Sequence, residues 1–204
     1  MAAQSLLDAG ADVLTGGNHI FGKKQMHPLL EEHERILRPA NYPSGVPGHG
    51  RVDIDCGAYT VTVINLQGNA FMDALDNPFT ALDRLLDGAG KIVLVDFHAE
   101  ATSEKRAMGF YLDGEVSAVF GTHTHAQTAD AQVLPKGTGY ITDLGMTGVI
   151  DSILGVKKEI IINRLKNNDM SRFEQATGMC MLNGCVFDVD ESTGLTKSAK
   201  LIYK

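Results

Sequence analysis

The chain has 204 residues, 44% of them hydrophobic and 21% charged, which is the composition of one soluble globular domain large enough to bury a core. Its formal charge of −7 excludes a general affinity for nucleic-acid backbones or anionic membranes, but leaves room for a small phosphate ester at a local cluster of cations. No apolar run approaches bilayer-spanning length, and the opening MAAQSLLDAG does not read as a signal peptide.

In chain order, SLLDAGADVLTGGNH (5–19) reads as the last turns of a helix, a turn at Gly10 and a short strand over 11–15. KKQMHPLLEEHE (23–34) is helical in pattern, with Pro28 in the first turn, where its missing N–H costs little. RPANYPSGVPGHG (38–50) is a Pro/Gly-rich loop, and RVDIDCG with YTVTVINLQG (51–68) alternates as two strands about Gly57 and Ala58. Asn77 caps a helix that has Pro78 at its first position and runs to about Asp87. KIVLVDFH (91–98) is then a continuous apolar strand of the kind covered on both faces.

A helix over 101–114, capped by Thr102 or Ser103, leads to the strand EVSAVF (115–120), ended by Gly121. GTGYITDLG (137–145) is a short strand and turn, KKEIIINRLKNN (157–168) is an amphipathic helix, and GMCMLNGCVFDVD with KSAKLIYK forms a hairpin. Helices alternate with strands between flanking strand pairs, so the expectation is a single α/β domain over 1–204, layered and with mixed sheets. Cys56, Cys180 and Cys185 include no CxxC pair and read as reduced thiols of a cytoplasmic protein, the last two as core strand residues. With no Trp and 6% aromatic residues, the chain has no evident platform for stacking a run of bases.

Three segments share one design, an apolar strand followed by polar ligand-type residues. They are ADVLTGGNHIF with Asn18 and His19, KIVLVDFHAE with His98, and EVSAVFGTHTH with His123 and His125. In open α/β sheets the carboxyl edge of the strands is where ligands bind. In extended backbone residues i and i+2 point the same way, so His123 and His125 can aim into one cavity. If the three strands are neighbours in one sheet, all five side chains meet in one cleft. An amide carbonyl with several neutral imidazoles suits iron, manganese or zinc better than calcium. Glu100 is placed to orient a ligand histidine from behind, whereas His27, His33 and His49 read as solvated.

TGGNHIF, LRPANYP, VINLQG, VDFHAEATSEK, GTHTHAQTAD and LPKGTGYITDLGMTG, in that order from about residue 5 onward, closely resemble the bacterial YmdB-like family. Its members are calcineurin-like metallophosphoesterases described as 2′,3′-cyclic-nucleotide 2′-phosphodiesterases. The resemblance implies a four-layer α/β/β/α sandwich with two divalent metals, iron or manganese with zinc as an alternative, at the carboxyl ends of the strands. By matching motif, Asn18, His98 and His123 would bind one metal, His125 the other, and His19 would be the acid that assists the leaving group. The family's opening strands, which end in GD and GEN and supply an Asp and a bridging Glu, have no counterpart before Asn18.

The expectation is therefore a member lacking its N-terminal strand or strands, with at most one metal bound and impaired hydrolysis of 2′,3′-cyclic nucleotides to 3′-nucleotides. The alternative is a non-catalytic metal-binding or regulatory relic of the same fold. The expected partner is a small phosphodiester, with no stable nucleic-acid or membrane partner. Self-association is one way to cover an open sheet edge.

Overall fold

The computed structural model describes residues 2–204. Helices α1 (Ala2–Asp8) and α2 (Met26–Glu32) accompany two short parallel strands, β1 (Leu14–Thr15) and β2 (Ile36–Leu37). Then come β3 (Arg51–Asp55), β4 (Thr60–Gln67), α3 (Pro78–Leu86), β5 (Ile92–His98), α4 (Thr102–Tyr111) and β6 (Ala118–Thr122). β7 (Gln132–Val133), β8 (Gly139–Ile141) and β9 (Gly148–Val149) lead to α5 (Lys158–Asn167), followed by β10 (Cys180–Met181), β11 (Asn183–Val189) and β12 (Thr196–Tyr203).

The central sheet runs β3-β4-β5-β6-β8-β7, parallel from β4 to β8, with an antiparallel strand at each edge. Parallel strands put their carboxyl ends on one side, so Gln67, His98 and Thr122 stand abreast in register. Along β5, Val93, Val95 and Phe97 face α3 and α4 and join Ile64, Leu66, Met108 and Tyr140 in the main core. The alternate residues, Leu94, Asp96 and His98, turn to the other side.

A second layer lies there. A smaller core of Leu29, Leu30 and Ile36 seats α1 and α2 on β1–β2, and the antiparallel β11–β12 hairpin covers the β6–β8 end, where the Thr196 hydroxyl donates to the Ser117 carbonyl at 2.6 Å. The result is a mixed α/β sandwich of helices, central sheet, short strand pairs and outer helices. Between β1 and the hairpin, two apolar grooves of about 480 and 540 Å³ share Val61, Leu94 and Phe120 as their floor.

Several expectations change. β5 is not covered on both faces, because Leu94 faces these grooves and is half-buried. β1 pairs with β2, an unanticipated strand, rather than joining β5 and β6. Cys180 is exposed because β10 pairs only with β9, and Cys185 is half-buried because it lines the open groove beside Phe187. Asn77 caps α3 as read, accepting from Phe79 N and Thr80 N, but the N-cap of α4 is Ala101, which supplies no side-chain cap. Among the described residues no helix is long and apolar enough to cross a membrane.

Gly121 does not end a strand; it lies inside β6 and sets the spacing to β8. A Cβ there would stand 1.8 Å from the Thr142 carbonyl oxygen, which is backbone and cannot swing away. Gly121→Ala is expected to cost about 3 kcal/mol, the upper end for overpacked sites, read as a lowered urea midpoint with unchanged slope.

Candidate metal centre

The expected strand ends do meet, by a different route from the one the pattern suggested. His98 and Thr122 are register neighbours on β5 and β6, while β1 reaches them from the second layer. Asn65 on β4 makes the connection. Its side-chain amide donates to the carbonyls of Gly16 (2.7 Å) and Leu37 (3.2 Å), tying the β1–β2 pair to the central sheet. Gly17 then lies flat against His98, so close that a Cβ would fall 2.2 Å from the ring's Nε2. The next residue, Asn18, brings its amide oxygen to 3.0 Å from the same Nε2.

His123 and His125 do not converge through strand periodicity, because β6 stops at Thr122 and both histidines are left-handed, with φ of 104° and 66°. Such backbone is costly for residues other than glycine and persists only where the surroundings impose it. Here Asp143 imposes it. Its Oδ2 accepts from Thr124 N (3.0 Å), Thr124 Oγ1 (2.8 Å) and the Lys105 ammonium (2.8 Å), and its Oδ1 accepts from Gly145 N (2.8 Å). The Lys105–Asp143 pair is almost wholly buried, at 1% and 2% side-chain exposure. Burial pushes the Asp143 carboxyl up, but the hydrogen bonds from Lys105, Gly145 and Thr124 together outweigh it and hold it below the ordinary range.

The proton positions follow from the outer partners. The Thr122 hydroxyl donates to Asp96 Oδ1 at 2.8 Å, so at 2.9 Å it can only accept from His98 Nδ1–H. Glu100 Oε2 lies 3.1 Å from His123 Nε2 and fixes the proton there, as Glu100 was expected to do. His98 Nε2 and His123 Nδ1, 3.1 Å apart, are thus both left with bare lone pairs, and the Asn18 oxygen adds a third. Lone pairs this close repel one another unless a cation lies among them. Donors that share a cation at metal–donor lengths of about 2.1 Å stand about 3 Å apart in an octahedral shell, so the trio fits one divalent ion.

Burial, reinforced by neighbouring His123, lowers His98 from its ordinary 6.5 to about 4, which keeps the imidazole neutral at physiological pH. His123 is lowered by burial as well, with Glu100 opposing. His125 is exposed but lines the same cleft of about 270 Å³ as His98, His123 and Thr15. His19 is exposed beside Asn18, in the turn closed by Ile20 N on the Gly17 carbonyl. Among the described residues no three His, Cys, Asp or Glu side chains close on one point; the converging trio includes an amide. His27 and His49 are exposed, and His33 is half-buried. Pattern reading did not single out Thr122, Lys105 or Asp143. A buried lysine in the first turns of a polar helix carries no local signal, although Asp143 two residues before Gly145 has the form of an Asx turn.

A mixed α/β sandwich that gathers imidazoles and an amide carbonyl at its strand ends defines an enzyme of the metallophosphoesterase type. The chain belongs to the YmdB-like protein family, whose model matches residues 1–202. It is 50% identical over 192 residues to the 2′,3′-cyclic-nucleotide 2′-phosphodiesterase of Bacillus subtilis (strain 168), covering 93% of this chain and 73% of that protein. Among solved structures, a hypothetical protein from Thermus thermophilus superposes with a TM-score of 0.92 at 42% identity, covering 100% of this chain and 80% of the other. A novel phosphatase from Mycoplasma pneumoniae also superposes at 0.92, with 32% identity over 99% of this chain and 75% of its own.

The buried ion pair and the lowered histidine each have a measurable consequence. Lys105→Met leaves a buried carboxylate without its cation and is expected to cost about 3–5 kcal/mol in urea unfolding, with release of the 123–125 loop visible as faster amide exchange at Thr124. For pH, the unfolded chain protonates His98 near 6.5 and the folded chain near 4, so stability is lost as pH falls through that window, by about 3 kcal/mol at pH 4. Buried Asp96, raised to about 6, works in the opposite direction. The His98 effect is therefore read as the difference between wild type and His98→Asn in chelator-treated protein.

Proposed function

We propose that the chain hydrolyses 2′,3′-cyclic nucleotides to 3′-nucleotides with the help of divalent metal. The observation that carries this reading is the convergence of three lone pairs, from Asn18, His98 and His123, with their outward nitrogens protonated onto Thr122 and Glu100. These three residues would hold one cation, weakly, because all three donors are neutral. His125, in the same cleft, would serve a second.

Bound there, metal supplies Lewis-acid polarisation of the phosphate and lowers the pKa of attacking water. The remaining work belongs to the chain. Asp143 and Lys105 keep the 123–125 loop from relaxing, and Gly17 lets the His98 ring reach the cleft. His19 gives a proton to the 2′-oxygen as its bond to phosphorus breaks, while the water oxygen bonds to phosphorus and releases a proton to solvent, leaving the phosphate on the 3′-oxygen. The cyclic phosphodiesterase from Bacillus subtilis, half identical in sequence, supports this choice of substrate.

The test is phosphorus NMR of adenosine 2′,3′-cyclic phosphate incubated with manganese-loaded protein. The 3′-phosphate is expected as sole product, with His19→Ala slowing turnover about 10²–10⁴-fold while retaining metal. A 2′-phosphate product, or equal turnover in chelator, would refute the reading. Retention of metal without turnover would favour the relic.

A further inference from the structure

The segment between β4 and α3 leaves the same edge of the sheet as the histidine loops and is held unusually firmly. Gly68 N donates to the His98 carbonyl at 3.0 Å. The Glu104 carboxylate, four residues beyond Glu100 and in the first turn of α4, accepts from Asn69 N and Ala70 N at 3.1 Å each. The Asn69 side chain closes the loop on itself, donating to Leu75 O and accepting from Leu75 N at 3.0 Å each, and buried Asn41 donates to the Gln67 and Asp76 carbonyls at either end.

On this braced loop sits Phe71, in left-handed backbone (φ 64°) and 90% exposed, more than any other large exposed hydrophobic residue among those described. Leaving a phenyl ring in water and holding its backbone left-handed are both unfavourable, and neither contributes to the core. Phe21, three residues after Asn18, is by contrast already engaged edge-on by His27 and Tyr42. Phe71 is three residues from Gly68, so its Cα lies at most about 11 Å from the residue bonded to His98.

We infer that Phe71 is a stacking platform for the base of a nucleoside cyclic phosphate whose phosphate lies in the histidine cleft. The inference rests on the phosphodiesterase reading for the phosphate end, and adds that the site selects nucleotides over base-less cyclic phosphates. A composition too poor in aromatics to stack a run of bases still suffices for one, because a single ring offers a full π-face and tolerates any base. A rigid ring also loses little conformational entropy on binding.

The chain has no Trp, so Phe71→Trp introduces a single indole at the platform. Adenosine 3′-phosphate, which needs no turnover, is expected to quench its fluorescence saturably, while ribose 3-phosphate competes without quenching. In kinetics, Phe71→Ala is expected to lower the ratio of kcat/KM for adenosine 2′,3′-cyclic phosphate to that for glycerol 1,2-cyclic phosphate about tenfold, through KM, with Phe71→Tyr restoring it. Absence of quenching, or an unchanged ratio, overturns the assignment. Loss of a dimer in Phe71→Ala with an unchanged ratio would give the ring to a protein contact instead. If wild type hydrolyses neither cyclic phosphate, the phosphodiesterase reading fails by itself, and the quenching still decides whether a base stacks on this loop.

Discussion

A single buried carboxylate, Asp143, holds the rest of the candidate centre in place. It lies at the turn after β8, accepts four hydrogen bonds, and is balanced by an ammonium that reaches it from α4 past Gly121. A buried ion pair is weak evidence of stability, because desolvating both ions offsets much of their attraction. Its value here is geometric. Thr124 is bound through both N–H and hydroxyl, and the histidines on either side of it are thereby kept in backbone they would otherwise leave. The chain's negative balance makes the internal cation more telling, since Lys105 is one of 18 basic residues and is almost fully removed from water.

The same division of labour runs through the centre. The converging side chains are neutral donors, and the carboxylates Asp96 and Asp143, which line the same cleft, act on them through hydrogen bonds. Asp96 acts on His98 through Thr122, Glu100 acts on His123 directly, and Asp143 acts through the loop backbone. Fixing the outward protons in this way points every inward lone pair at one place before any ligand arrives, which is the preorganisation that metal sites require of their outer partners. The asymmetry between layers serves the same end. The helix-covered face of the sheet is packed, while the other face carries the polar residues of the cleft and the open apolar grooves beside it.

Much of this was legible beforehand. Continuous apolar strands, the Asn77–Pro78 cap and the alternation of the C-terminal hairpin are local signals, and the elements they mark lie within a few residues of where they were expected. The strand-end placement of Asn18, His98 and His123 was equally local. What local pattern could not carry was long-range. The two-residue strands β1 and β2 have too few residues for a period, and their tether is a side chain on β4. The left-handed histidines look extended in sequence, because their conformation is set by a carboxylate 18 and 20 positions away. Lys105 is written into a polar helix face and is buried because its stem lies against Gly121 and its ammonium meets Asp143, 38 positions away.

The central claim is that Asn18, His98 and His123 share one cation. Pulsed electron paramagnetic resonance of manganese added to the full chain addresses it most directly. The account predicts nitrogen couplings from two imidazoles, with one lost in His98→Gln while the fold is retained. Manganese that shows no nitrogen coupling, or the same coupling in His98→Gln as in wild type, would contradict it.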